Sequence, residues 1–178
     1  MWALVENSKV SKVFNRPTAI TVNDTQYPAN IMGSWTAAQL KTIGVYEVVI
    51  NDSKYKNPEY YINTSQEFKF ASNKVTASYG TATAKDLDNL KKEHKQLITN
   101  QAYSLLQPND WLVVRKQESG ADIPSDWTSF RTGVRTAADS MKTKIDAVSN
   151  VDALAALYVY DDADPPVRPL GEFPTPPE

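Results

Sequence analysis

The chain has 178 residues, 41% of them hydrophobic and 22% charged, with a formal net charge of -2 and no cysteine. That is the composition of one globular domain or two small ones, not of a disordered chain. It excludes disulfides, thiolate chemistry and zinc sites built on cysteine. The near-neutral balance gives no general electrostatic reason to bind nucleic acid or an anionic membrane.

The opening "MWALVENSKVSKVF" lacks the basic start and continuous apolar run of a signal peptide. No stretch approaches the roughly 18 apolar residues of a membrane-spanning helix. "WALVE" and "VSKVF" flank Asn7-Ser8-Lys9, which predicts a hairpin, and "AITV" and "TQYP" flank Asn23-Asp24, which predicts a second. Asn and Asp tolerate the left-handed backbone that tight hairpin turns need. In "SWTAAQLKTIG", Thr36 and Gln39 have capping-box spacing and Gly44 falls just past the end, so a short helix starts with Thr36 as N-cap. "VYEVVI" (Val45 to Ile50) reads as a buried strand. "YYIN", "EFKF" and "VTASYGT" read as further strands, the last two joined through Ser72-Asn73-Lys74.

The period then changes. Leu87, Leu90, His94, Leu97, Ile98, Leu105 and Leu106 form an interrupted helical stripe, which Pro108 ends. "WLVVRK" (Trp111 to Lys116) reads as a short extended piece. Ser125 is the expected N-cap of the next helix. Its apolar positions, Trp127, Phe130, Val134, Ala138, Met141, Ile145 and Val148, alternate steps of three and four, as in a helix-helix seam. "NVDALAALY" is a third helix with Asp152 in its first turn. The tail "PPVRPLGEFPTPPE" is proline-rich and extended, and its docking is left open.

The expected fold is α+β. A small, mostly antiparallel β-sheet unit with a short helix occupies residues 1–83, a helical hairpin residues 84–160, and the extended proline-rich tail residues 161–178.

Candidate chemistry is sparse. Asp110, Glu118, Asp122 and Asp126 are carboxylates around one charged loop. Paired carboxylates can hydrolyse glycosides, but loop carboxylates are more commonly solvated or capping, so no catalytic residue is expected. His94 is the one histidine, which rules out a multi-histidine metal site within a single chain, and a partly exposed helix position is expected for it. Lys91, Lys92 and Lys95 beside it fit a solvated helix face better than a phosphate site. Asp161, Asp162 and Asp164 could hold calcium, but a polar turn ending the helix is the preferred reading. The Asn-x-Ser/Thr triplets at Asn23, Asn51 and Asn63 carry little weight without a secretory signal. No cofactor is expected.

The dipeptide Asp-Trp occurs twice, at Asp110-Trp111 and Asp126-Trp127. Each pair is expected to put a carboxylate at a chain reversal and an indole against the core, an architectural clasp between two helices. The second reading of both rings is as interface anchors. Arg131 and Arg135, four apart on one helix face, are expected to turn towards the loop, with at least one paired to Asp110.

The same region resembles a module of tailed-bacteriophage proteins. Its elements are a helix ending in a Leu-Leu pair (Leu105-Leu106), then Asp-Trp (Asp110-Trp111), a loop, and a helix bearing an aromatic followed by two arginines (Phe130-Arg131, Val134-Arg135). The resemblance covers about residues 95 to 146. It extends to the opening hairpin, the Tyr-Pro segment with its helix ending in Ile-Gly, and the closing "RPLGEFP" (Arg168 to Pro174). Such modules occur in phage tail assembly chaperone-like proteins and at the ends of tail-fibre and tail-associated proteins. The chain departs from the compact chaperone-like members at Tyr103-Ser104, where an arginine is usual, and in its longer, more charged loop. The resemblance therefore implies a structural component of the tail, its fibres or its baseplate, located in the virion after assembly in the host cytoplasm. Its partners would be other tail proteins and further copies of itself. The alternatives it implies are a transient assembly chaperone absent from the finished particle and, third, a glycan-cleaving tail protein.

Overall fold

The computed structural model describes residues 1–177, and the fold is mixed α+β. The chain divides into two compact units, 1–83 and 84–178, at the place where the hydrophobic period changes.

The first unit begins with β1 (Trp2–Glu6) and β2 (Lys9–Phe14), then the ribbon β3 (Ile20–Val22) and β4 (Thr25–Tyr27). Two short helices follow, α1 (Ile31–Ser34) and α2 (Ala37–Thr42). Then come β5 (Val45–Asn51), β6 (Tyr61–Ile62), β7 (Gln66–Ala71) and β8 (Lys74–Tyr79). The three expected tight turns all form, with positive φ at Asn7 and Ser8, at Asn23 and Asp24, and at Ser72 and Asn73. Thr36 caps α2 in a complete capping box with Gln39.

Five strands make one sheet in the order β2-β1-β5-β8-β7. All its pairs are antiparallel except β5 with β8, which is parallel and aligns Val48 with Val75 and Ile50 with Ala77. The expectation of a mostly antiparallel sheet therefore holds with one parallel pairing at its centre. The outer strands β2 and β7 approach each other, so the sheet curls. A register shift between Leu4 and Val5 adds one residue to β2, and Ser11 Oγ there donates to Leu4 O at 3.2 Å. Such a bulge increases local twist.

Because side chains alternate across a strand, the sheet has two apolar faces. Ala3, Val48, Val75 and Ala77 pack with Tyr46, Phe68 and Phe70 on one. Leu4, Phe14 and Val45 lie on the other with Ile20, Ile31, Met32 and Leu40 from the ribbon and short helices.

Gly44 joins α2 to β5 under a double constraint. Its φ is +78°, and a Cβ there would lie 2.8 Å from Val5 O. The two backbones cannot part, because Val5 N donates to Gly44 O at 2.8 Å. Gly44→Ala is expected to lower stability by more than about 1 kcal/mol, read as a shifted denaturant midpoint. An unchanged midpoint would contradict this account of the turn.

The second unit contains α3 (Leu87–Leu106), a 3-10 turn at Gln107–Asn109, α4 (Trp111–Ser119), α5 (Ser125–Ala147) and α6 (Val151–Ala156). Asp86 caps α3 by accepting from Asn89 N, and Asn150 caps α6 by accepting from Ala153 N, each at 2.8 Å. Helices α3 and α5 pack together and run antiparallel. Lys91 near the start of α3 donates to Asp146 O near the end of α5, while Arg131 in the early part of α5 reaches Leu106 O at the end of α3. The expected seam of α5 is buried from Phe130 through Val134, Ala138 and Met141 to Ile145. Leu90, His94 and Ile98 of α3, the helix it packs against, are buried too, as is Leu154 of α6.

Three expectations are corrected in this unit. Residues 111–116 belong to helix α4, not to an extended piece. Leu112 is its buried anchor, and Gly120, at φ +72°, ends it in the left-handed conformation. Ser125 is not the cap but the first helical residue, preceded by Pro124. His94 is buried, with Nδ1 2.7 Å from the Tyr158 hydroxyl and the two rings 4.9 Å apart.

The proline-rich tail docks on its own unit and is not extended throughout, since Asp161 N donates to Val167 O at 2.8 Å and a turn at 168–171 closes with Gly171 N donating to Arg168 O at 3.0 Å. Leu170 is buried, its N–H donates to Leu157 O at 2.9 Å, and Lys144 Nζ donates to Pro169 O at 2.7 Å. Arg168 lies over the rings of Tyr158 and Tyr160 and forks onto both oxygens of Glu172, at 2.7 and 3.0 Å. The Tyr160 hydroxyl donates to Glu172 Oε1 at 2.7 Å, and that bond holds the phenol above its ordinary range.

Candidate interaction site

The break at Pro108 turns the chain from α3 into α4, and this turn is fastened by one side chain. Arg131, 6% exposed, projects from α5 into it. Its Nη1 donates to Leu106 O at 3.1 Å and also to Asn109 Oδ1, while Nη2 donates to Asp110 Oδ1 at 2.7 Å. The guanidinium fork thus meets a helix-terminal carbonyl, a buried amide and a carboxylate. Asn109, itself 3% exposed, completes the set by donating from Nδ2 to Leu105 O at 2.9 Å. Satisfied buried polar groups of this kind fix one geometry.

The expected pairing of an arginine with Asp110 is present, and Arg131 makes it. Arg135 lies on the exposed side of α5 and donates to Arg131 O at 3.4 Å.

The two Asp-Trp pairs differ in structure. Asp126 is in the first turn of α5, where a carboxylate opposes the positive helix end, and its Oδ1 accepts from Trp127 N at 2.8 Å. Trp127 is half-buried and meets Phe130 edge-on at 5.8 Å between ring centres. Asp110 sits at the chain reversal as expected, but Trp111 does not face the core. It is 56% exposed. The reason is the helical course of residues 111–119. Helical spacing turns Leu112 inward, and with it buried, Trp111, Val113 and Val114 face solvent. The Arg115 guanidinium stacks 5.0 Å from the Trp111 ring and holds its orientation, and Arg115 Nη2 donates to Asp122 O at 3.4 Å. An ion pair of 3.0 Å from Lys116 to Asp122 ties the same loop to α4.

Three of the four loop carboxylates thus take structural partners, while Glu118 is exposed on α4. Asp110 binds Arg131, Asp122 binds Lys116, and Asp126 binds a backbone amide. At the far end of α5, Lys91 Nζ donates to Asp146 O at 2.9 Å and Lys95 pairs with the Asp146 carboxylate at 2.7 Å. Asp161 Oδ1 accepts from Ala163 N and Val167 N, which makes it the keystone of a polar turn. Among the described residues no cluster of three or more His, Asp or Glu is placed to hold a metal ion, and no helix is long and apolar enough to cross a membrane.

Sequence reasoning missed two contributors here. Asn109 follows a proline and reads as a turn residue, with nothing local to mark its burial. Arg115 becomes legible only once α4 is helical, since it lies four residues after Trp111.

Because Trp111 is more than half exposed and its ring contact is with Arg115, Trp111→Ala is expected to change stability by no more than about 1 kcal/mol. Urea denaturation checks this, and a larger loss would mean that the indole supports the fold.

Comparison with protein-family models, with curated proteins and with solved structures finds no similar protein in any of the three.

Proposed function

We propose that the chain is a structural component of a bacteriophage tail, of the tail itself, its fibres or its baseplate, and acts through protein-protein contacts. The observation that carries the reading is the exposed apolar surface of α4. Trp111, Val113 and Val114 face solvent on a helix held in place by the Arg131 clasp. Tryptophan is among the residues that dominate interface energetics, and a ring held in advance loses less freedom on binding. The resemblance of residues 95 to 146 to a tail module supplies the setting. Partners are then other tail proteins and further copies of the chain, and its location is the virion, reached by way of the host cytoplasm.

A census of purified particles tests the reading. Peptides of this chain are expected by mass spectrometry in washed particles, at a fixed number of copies. Abundance in the infected-cell lysate with none in particles would overturn it in favour of the transient assembly chaperone.

A further inference from the structure

Gly133 lies inside α5, where glycine is less favourable than alanine. Its bare Cα has an occupant. A Cβ built there would stand 3.3 Å from Pro174 Cγ and 3.8 Å from Pro174 Cβ. The glycine therefore forms a notch in the helix, and a proline of the tail sits in it.

The tail reaches this notch along a line of separate anchors. Lys144 Nζ holds Pro169 O and Leu170 O, Leu170 is 1% exposed, and Pro174 fills the notch. An open cleft of about 650 Å³ remains between this segment and α3, lined by Leu97 and Leu105 on one side and Phe173 and Pro176 on the other.

The linker contributes none of these anchors. Residues 161–167 are exposed and close on themselves, since Asp161 N donates to Val167 O at 2.8 Å and Asp161 Oδ1 accepts from Val167 N at 2.9 Å. The segment from Arg168 onward is thus a ligand tethered by a self-contained loop.

We infer that the surface of α3 and α5 is a recognition site for a proline-bearing segment that enters through the turn at Arg168–Gly171, and that the tail of a second copy takes the same seat as the chain's own tail. Exchange of an identical element replaces each contact within a chain by the same contact between chains, so no new surface is needed. The inference rests on the packing of the second unit and is independent of the tail-protein reading.

The test uses the full chain with a protease recognition sequence placed in the exposed loop 162–166. After cutting, the freed tail is expected to co-elute with the body in gel filtration. A labelled synthetic peptide of residues 167–178 is expected to displace it saturably. Gly133→Leu should weaken peptide binding by about tenfold or more, because it overfills the notch. A peptide carrying Pro174→Asp makes the same test without altering the body. Two differently labelled samples of the uncut chain, mixed at high concentration, should develop energy transfer along with a dimer in light scattering. The inference is overturned if the cut body loses its helical circular dichroism or releases the tail without binding the peptide. Equal binding by all peptide and notch variants overturns it as well, as does a strict monomer with no energy transfer at any concentration.

Discussion

Arg131→Ala is expected to destabilise the second unit by about 3–5 kcal/mol. The loss has two sources. The side chain is buried along its length, and each buried methylene contributes about 0.8 kcal/mol. Its removal also strips donors from Asn109 Oδ1 and Leu106 O, and a buried polar group left without a partner costs about 1–3 kcal/mol. Asp110 adds little to that sum, because its side chain is 52% exposed and water takes over the carboxylate. The converse change is therefore milder. Asp110→Ala leaves the guanidinium with two of its three acceptors and is expected to cost about 1 kcal/mol. This asymmetry separates a clasp built on Arg131 from an ordinary surface ion pair, where both substitutions would cost the same small amount. Denaturant midpoints of the two variants and of the double variant measure it. Equal losses for both would contradict the geometry.

Phe130→Ala is expected to cost a similar amount, about 3–5 kcal/mol, by a different mechanism. The ring is 5% exposed and heads the buried face that continues through Val134, Ala138, Met141 and Ile145. Truncation removes its transfer free energy and leaves a cavity that a helix pair cannot fully close. It also removes the edge-on partner of Trp127, a contribution of about 0.5–1.5 kcal/mol beyond area burial. An unchanged denaturation midpoint would place the ring outside the core. Phe130 and Arg131 are adjacent in sequence, so one turn of α5 carries both a buried apolar anchor and the polar fastening of the α3–α4 reversal.

Features decided within a few residues were legible in the sequence. The turns at Asn7-Ser8, Asn23-Asp24 and Ser72-Asn73 need positive φ, and each places at least one Asn or Asp where the backbone requires it. Thr36 and Gln39 complete a cap that can be recognised from spacing alone. The seam of α5 follows from its three-four rhythm. Features decided by distant partners were not legible. The β-branched run of α4 is helical because Leu112 finds a buried seat and Gly120 stops the helix, and a short apolar run does not by itself distinguish strand from helix. The parallel pairing of β5 with β8 joins segments more than twenty residues apart, and nothing in either strand names its partner. His94 carried a usable signal, since it lies four residues from both Leu90 and Ile98, which are buried. Its charged neighbours pointed the other way, and register proved the better guide. At the candidate site, the Arg131–Asp110 pair was legible from the four-residue arginine spacing and the nearby turn. The exposure of Trp111 was not, because it depends on the helical state of the residues after it. The docking of the tail was hidden for the same kind of reason. Leu170 and Pro174 need the groove and the Gly133 notch, which exist only when α3 and α5 are packed.

On the proposed reading, the Arg131 clasp presents Trp111 to a partner in the particle. Its most direct test is the copy number of the Trp111→Ala chain in purified particles, measured by quantitative mass spectrometry against the unaltered chain produced at the same level. Loss of a central interface tryptophan is worth about 2 kcal/mol or more of binding. With the fold intact, incorporation of the variant is therefore predicted to fall by about thirtyfold when the two chains compete. Incorporation of both chains in equal numbers would contradict the account.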